Sequence, residues 1–382
     1  MNVPKLRFKE FNDEWITYKF YDLVSIINGQ VDPNKKEYCN LPHIGPGNIE
    51  KETGRLLEYN LAKDDKLISS KYLFNEKSVI YGKINPHFAK VCYPKFVGLC
   101  SADAYPINPI EEKLTSTFLL YLLLNPKFTK FATSVSMRTG MPKINRDELG
   151  IYKFTIPKIN EQIKIGKTLE LLDKKIELQS KKIEDLKLFK LYTKNQIFKD
   201  YDESFKLKDI LVKWNKKNKN NSVKYVESIS NKYGFISQSD QFEDRNVASK
   251  DLNNYYIIEK GVFGYNPSRL NVGSLALKTN DKVSVVSPLY ECFTTSQNNQ
   301  YLLEWFDSKY FRKETISKFE GGVRNTLNFS NLCEIEIGLP TIEKQNMYSR
   351  IFKIFNNKIE FEVKKLYKLQ ELKKGLLQSM FV

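Results

Sequence analysis

Apolar residues recur at alternating steps of four and three along two long stretches of the chain. In the first they are Ile165, Leu169, Leu172, Ile176, Ile183, Leu186 and Ile197. In the second they are Tyr348, Phe352, Phe355, Ile359, Leu366, Leu369, Leu376 and Met380. This spacing is a heptad seam, and it predicts a helix whose apolar face meets another helix. Polar residues break both seams at matching places, Gln179 and Lys190 in the first, Glu362 and Lys373 in the second. A polar residue in a seam costs stability but fixes register. Each helix is expected to run about 38 residues, roughly 57 Å, too long to be the core of a small domain. Pro157 and Pro340 stand just upstream of the helix starts, where proline is tolerated.

The two stretches are one pattern used twice. Pro157 matches Pro340, an offset of 340 − 157 = 183, and the same offset pairs Asn145 with Asn328, Gln162 with Gln345 and Phe198 with Phe381. Upstream the likeness is looser: "EKSVIYGKINP" (Glu76–Pro86) against "EKGVFGYNP" (Glu259–Pro267), and "YKFYDLV" (Tyr18–Val24) against "FKLKDIL" (Phe205–Leu211). The period is far too long for a solenoid and reads as an internal duplication. The expected organisation is a first variable domain over residues 1–157, a helix over 158–200, a second variable domain over 201–340 and a second helix over 341–382.

Short apolar runs broken by turn residues fill the variable regions, among them "KSVIYGKI" (Lys77–Ile84), "IYKFTIP" (Ile151–Pro157), "GVFGYN" (Gly261–Asn266) and "CEIEIGLP" (Cys333–Pro340). These read as strands. "TSTFLLYLLLNPKFTKFATSV" (Thr115–Val135) and "QYLLEWFDSKYFRKETISKF" (Gln300–Phe319) each read as a helix. The fold class is therefore α+β: two tandem α+β domains, each followed by a long helix. The two helices are expected to pack as an antiparallel coiled-coil rod with pseudo-two-fold symmetry. The competing arrangement packs each helix separately on its own domain. The lysine- and glutamate-rich outer faces are either solvated or a docking surface, and the sequence admits both.

Composition adds a partner class. The 382 residues carry 61 Lys+Arg against 45 Asp+Glu, a formal charge of +16. A chain this basic suits a polyanion, nucleic acid first, although a lysine-rich proteome would also raise the count. Two loops at matching places carry suitable side chains: "MRTGMPKIN" (Met137–Asn145) with Arg138, Lys143 and Asn145, and "GGVRNTLN" (Gly321–Asn328) with Arg324, Asn325 and Asn328. Arg and Lys suit guanine edges and Asn suits adenine. A surface turn that closes the sheet is the competing reading. A second loop pair supplies Lys83, Asn85, His87 and Lys90 in the first half, and Arg269 and Asn271 in the second.

Several chemistries lack their residues. The two histidines, His43 and His87, have no partner at metal-ligand spacing, and no zinc site is expected. The five cysteines form no C-x-x-C pair and suit a reducing compartment. There is no G-x-x-x-x-G-K-[ST] phosphate loop and no G-x-S-x-G elbow. "NPHF" (Asn85–Phe88) has His where amino-methyltransferases carry a second Pro, so it reads as a turn. "MNVPKLRFKEFNDEW" is charged without an apolar core, and no run approaches the ~20 apolar residues of a membrane span. The expectation is a cytoplasmic protein without chemistry of its own.

The ordered set resembles the specificity subunit of type I restriction-modification systems. "PKLRFKEFNDEW" (Pro4–Trp15) is similar to the start of many such subunits, and "IPKINEQIKI" (Ile156–Ile165) and "LPTIEKQNMY" (Leu339–Tyr348) are similar to the entries of the family's two conserved helices. The resemblance implies that each variable domain reads one half of a bipartite, asymmetric double-stranded DNA target while the helices set the spacer. It implies two methyltransferase subunits and restriction-translocation subunits as partners. S-adenosylmethionine, ATP and Mg would belong to those partners. No base contact carries over residue by residue. Two other classes stay open on the residues alone: a coiled-coil adaptor or RNA-binding scaffold, and a combined methyltransferase-nuclease.

Overall fold

The computed structural model describes residues 3–137, 140–230, 233–237, 251–272, 274–316 and 326–382. The chain divides into two compact units. One joins Met1–Lys181 to Lys364–Val382, and the other is Lys182–Val363. Each unit thus holds one variable domain and a segment of each long helix.

In the first unit, the strand Ile16–Lys19 pairs antiparallel with Lys153–Ile156 at the foot of the domain. A four-stranded antiparallel sheet follows, with Val24–Ile26, Ala104–Pro109, Val79–Gly82 and Val91–Cys92 side by side. Val79, Ile80 and Tyr81 are all buried, as expected for an apolar run covered on both faces. A three-stranded sheet, Tyr72–Phe74, Gly98–Cys100 and His43–Ile44, shares a core cluster with it, Ile44, Phe74 and Cys100 packing with Ile80 and Cys92. The second unit repeats the first plan. Glu203–Lys206 pairs with Glu336–Leu339, and Leu211–Lys213, Glu291–Thr295, Phe263–Tyr265 and Leu275–Leu277 form a sheet in the same order. The α+β class follows directly.

The apolar stretch Thr115–Val135 is two helices, Ser116–Leu124 and Pro126–Val135. Pro126 cannot continue a helix and instead starts the second one. Asn125 caps that start by accepting from the Lys127 amide at 2.8 Å, and its Nδ2 donates to the Leu377 carbonyl at 2.8 Å. The second unit also divides here, into Asn299–Phe306 and Lys309–Ile316, with Ser308 accepting from the Phe311 amide. Reading each stretch as one helix missed these caps.

The long helices are Ile159–Ile197 and Ile342–Ser379. Within the second unit Phe189 meets Phe355, Lys182 meets Glu362, and Phe198 meets Phe352, so the two segments run antiparallel. Of the seam, Ile165, Leu169, Leu172, Ile183, Ile197, Phe352, Leu369 and Met380 are buried. Ile176, Leu186, Tyr348, Phe355, Ile359, Leu366 and Leu376 are half-buried. The polar interruptions Gln179, Glu362 and Lys373 are buried too, and Lys190 is half-buried.

Each helix segment is continuous with its domain core. Ile165, Leu169, Leu377, Met380 and Phe381 share one cluster with Phe118 and Leu123 of the first domain. Ile197, Phe198 and Phe352 share another with Tyr301 and Phe306 of the second. The amino-terminal segment adds a clasp: Arg7 grips buried Glu161 with two nitrogens, at 2.7 and 2.8 Å, while the Leu6 amide donates to the Ser379 carbonyl.

One buried amide at the head of each long helix closes the junction with its domain. Gln162 accepts from the Thr115 amide at 3.1 Å and donates to the Lys113 and Pro157 carbonyls. Gln345 accepts from the Asn298 amide at 3.1 Å and donates to the Pro340 carbonyl and to Gln297. Removing such a side chain strands several buried polar groups. Gln162→Ala is therefore expected to lower the unfolding free energy by about 1–3 kcal/mol, read by urea denaturation, with Gln345→Ala comparable. An unchanged midpoint in both would refute this role.

Candidate nucleic-acid interface

In the first unit two loops that are 55 or more residues apart in sequence become one surface, because their backbones zip together. Ile84 and Lys143 form an antiparallel bridge. The Asn85 amide donates to the Pro142 carbonyl at 2.8 Å, and the Ile144 amide donates to the Lys83 carbonyl at 3.1 Å. "KINP" and "MPKIN" are therefore one site, not two candidates. The second unit repeats the link: Leu327, the counterpart of Ile144, donates its amide to the Pro267 carbonyl at 3.1 Å.

The turn after Lys83 has an unusual backbone. Asn85 (φ 50°) and Ala89 (φ 41°) both adopt left-handed conformation around the short turn Pro86–Phe88. Asn tolerates that region far better than a branched residue. The turn exposes His87, whose ring lies 4.1 Å from that of Phe88, and Lys51 sits 3.6 Å over the same Phe88 ring.

Around Tyr105 two cations converge. Lys83 Nζ and the Arg146 guanidinium each lie 5.3 Å from the Tyr105 ring centre. Arg146 is anchored by donating to the Ile26 and Ile27 carbonyls and to Asn28. Burial pushes the Lys83 ammonium below its ordinary pKa, and the charges of Lys143 and Arg146 push it further. An arriving anion relieves that repulsion, so this cluster is suited to a phosphate.

The other candidates divide by placement. Lys143 is exposed beside Lys83. Lys90 turns inward and donates to the Pro46 carbonyl, and burial with nearby Lys51 lowers its pKa. Asn145 caps the helix Arg146–Ile151, accepting from the Glu148 amide at 2.8 Å, and Asn328 caps Phe329–Cys333, accepting from the Asn331 amide at 2.8 Å. Both side-chain oxygens are thus committed to the scaffold. Arg269 is exposed on the turn Pro267–Val272, which also contains Asn271. Arg138, Arg324, Asn325 and the Asn271 side chain lie outside the described residues. The sequence reading passed over Arg146, Tyr105 and Lys51. The signal for Arg146 was present, since Asn145 and Glu148 form a capping box that starts a helix at Arg146.

The long helices carry a second kind of surface. Leu171 and Leu178, one heptad apart, are 68% and 60% exposed in the first unit. Their counterparts Ile354 and Phe361 are 67% and 61% exposed in the second. Solvation alone does not call for apolar residues repeated at these positions. Among the described residues no cluster of metal-ligating side chains occurs, and no helix is long and apolar enough to cross a membrane.

The family model for the type I restriction modification DNA specificity domain matches residues 12–188. A relative, the type I restriction enzyme EcoDI specificity subunit of Escherichia coli, is 34% identical over 160 residues, 42% of this chain. The match spans about a third of that relative, 35% of its length. The putative type I restriction enzyme MjaX specificity subunit of Methanocaldococcus jannaschii is 22% identical, over 99% of this chain and 95% of its own. Among solved structures, the type I restriction-modification system S subunit from M. genitalium aligns with a TM-score of 0.61 at 15% identity, over 100% of this chain and 99% of that one. The fold is that of tandem α+β domains with paired long helices. The first half of the chain thus matches the DNA specificity domain of that family, and along its length the chain is similar to type I restriction enzyme specificity subunits.

The Lys83 cluster makes a direct prediction. Lys143→Ala removes a neighbouring positive charge, so the Lys83 pKa is expected to rise toward its ordinary 10.5. Nuclear magnetic resonance titration of the lysine side chains reads this. A Lys83 titration identical in the variant would exclude Lys143 as a cause and leave burial and Arg146.

Proposed function

We propose that this chain is the sequence-reading subunit of a type I restriction-modification complex. Each variable domain reads one half of a bipartite, asymmetric DNA target through its zipped loop pair. The two long helices set the spacer and dock two methyltransferase subunits, to which restriction-translocation subunits are added. Methyl transfer and ATP-driven cleavage belong to those partners, and the complex works in the cytoplasm.

The observation that carries this reading is the repeated loop junction with different side chains on it. One scaffold bridges Ile84 to Lys143 in the first unit and links Pro267 to Leu327 in the second, and the sequences around these links differ, "KINPHFAK" and "MPKIN" against "YNPSRLNVG" and "GGVRNTLN". A duplicated frame with divergent loops is what two different half-sites require. The cation cluster at Lys83, Lys143 and Arg146 supports a phosphate-tracking surface beside the loops. Exposed Leu171, Leu178, Ile354 and Phe361 support docking, since each unit offers an equivalent apolar stripe for one copy of the same partner.

Two outcomes are expected. Deleting the gene in its host removes one bipartite adenine-methylated motif from the methylome. An unchanged methylome, with active partner subunits, refutes the proposal. In the purified complex, Lys83→Ala weakens binding to all DNAs alike and flattens the log-affinity against log-salt slope by about 1, as loss of one phosphate contact requires. A variant that instead relaxes one position of the target makes Lys83 a base reader.

A further inference from the structure

Under the first domain, three side chains from three elements meet in a mostly buried knot. The Tyr121 hydroxyl donates to Asp173 Oδ2 at 2.8 Å. Lys373 Nζ lies 2.5 Å from Asp173 Oδ1 and donates to the Thr53 carbonyl at 2.6 Å. The equivalents one repeat away are Glu304 for Tyr121, Asn356 for Asp173 and Lys190 for Lys373. They meet in the second unit in the same way. Lys190 Nζ lies 2.9 Å from Glu304 Oε1 and 2.8 Å from Asn356 Oδ1, and Asn356 Nδ2 donates to Glu304 at 3.1 Å.

The lysine is constant while its carboxylate has moved. In the first unit the acid stands on the long helix and the domain offers a phenol. In the second the domain offers the acid and the long helix an amide. A neighbouring pair has changed with it. Lys194, 4% exposed, binds Glu304 Oε2 at 3.1 Å and Asp307 at 2.9 Å. The counterparts of Lys194 and Asp307 are Leu377 and Leu124, both buried in the apolar core of the first unit. A third pair echoes the pattern: Arg7 with buried Glu161 in the first unit, exposed Asp202 with Lys344 in the second, where Glu161 and Lys344 are equivalent.

We propose that these positions form an address that assigns each recognition domain to its own helix segment: Tyr121 and Leu124 fit Asp173, Lys373 and Leu377, whereas Glu304 and Asp307 fit Asn356, Lys190 and Lys194. The inference rests on the duplication and is independent of what the domains bind. After a duplication the two domains have nearly the same shape, and shape alone does not stop one from taking the other's seat, in the same chain or on a second copy. Charge does. The first domain on the second seat leaves buried Lys194 and half-buried Lys190 without Glu304. The second domain on the first seat brings Glu304 against Asp173 and Asp307 against Leu377. The first mismatch leaves the buried Lys194 ammonium without its carboxylate partner Glu304, and the second sets two partly desolvated carboxylates against one another, both unfavourable. Discrimination here comes from what the wrong pairing costs.

The titration behaviour of the two acids agrees. Burial raises Asp173 above the ordinary carboxylate pKa, and the single Lys373 does not cancel it. Burial also opposes ionisation of Glu304, but Lys194 and Lys190 outweigh it and hold the acid below its ordinary value. The first seat already lacks the cations for one carboxylate and has none for a second.

The test exchanges addresses within the full-length chain. Tyr121→Glu alone is expected to lower the melting temperature by several degrees, and adding Asp173→Asn, which installs the second seat's chemistry in the first, restores most of the loss. In the second seat, Glu304→Tyr lowers the melting temperature and Asn356→Asp restores most of it. Losses that simply add in both seats overturn the proposal, because contacts that are merely structural are not rescued by the other seat's residue pair. Should Glu304→Tyr fail to fold, the Tyr121–Asp173 cycle decides alone, with Tyr121→Phe as the control that removes the hydrogen bond without adding charge. Methylome sequencing of the strain carrying the rescued double variant separates the two readings: the address predicts restored stability whether or not the chain reads DNA.

Discussion

A helix of 39 residues carries an apolar seam longer than any one small domain can cover. That constraint governs the architecture. Each long helix must bury one part of its seam against its own domain and the other helix, and the remainder in the other unit. This is why the first compact unit takes its residues from two distant parts of the sequence, with Lys364–Val382 returning to the first domain. The aromatic ends follow from the same need. Phe381 stacks on Phe118 in the first unit, and its repeat partner Phe198 meets Tyr301, the repeat partner of Phe118, in the second. Neither end is ordered by local sequence; each is fixed by a residue from the domain it caps.

Duplication leaves a record of which contacts tolerate change. The helix-head glutamines, the capping asparagines Asn145 and Asn328 and the seam lysines are kept in both halves, and each satisfies backbone or buried groups with little freedom of substitution. The loops above the sheets have changed, because their side chains face outward and only their backbone bridge is needed to hold them. Between these extremes lie the knots at Asp173 and Asn356. There the position is kept and the chemistry is redistributed, as is possible only when both partners change together.

Much of this was legible in the sequence. The four-three spacing located both helices to within a few residues, and the interruptions at Gln179, Lys190, Glu362 and Lys373 marked where polar groups enter the seam. The break at Asn125–Pro126 was equally visible but was read through, since the unbroken leucine run gave no reason to stop. The joining of the two loops was not legible. A bridge between Ile84 and Lys143 depends on the three-dimensional course of the sheet, and no periodicity encodes it. Nor did side-chain type reveal direction: Lys90 looks as exposed as Lys83 in the sequence, yet it is spent on the Pro46 carbonyl.

Under the proposed function, a division between frame and reader lets such a chain change its target without losing its fold. Asn145 and Asn328 hold the frame through capping bonds, so substituting them would damage the short helices before it altered recognition. Lys83, Lys143 and Arg146 supply charge that any duplex attracts. What remains free to vary is the set of outward side chains between these fixed points, with His87 and Arg269 at corresponding turns but of different chemistry. Under the proposed function, affinity belongs to the repeated geometry of the junction and selectivity to a few exposed positions on it. On the proposed address, the knots keep the two domains from taking each other's seat, so each is free to diverge.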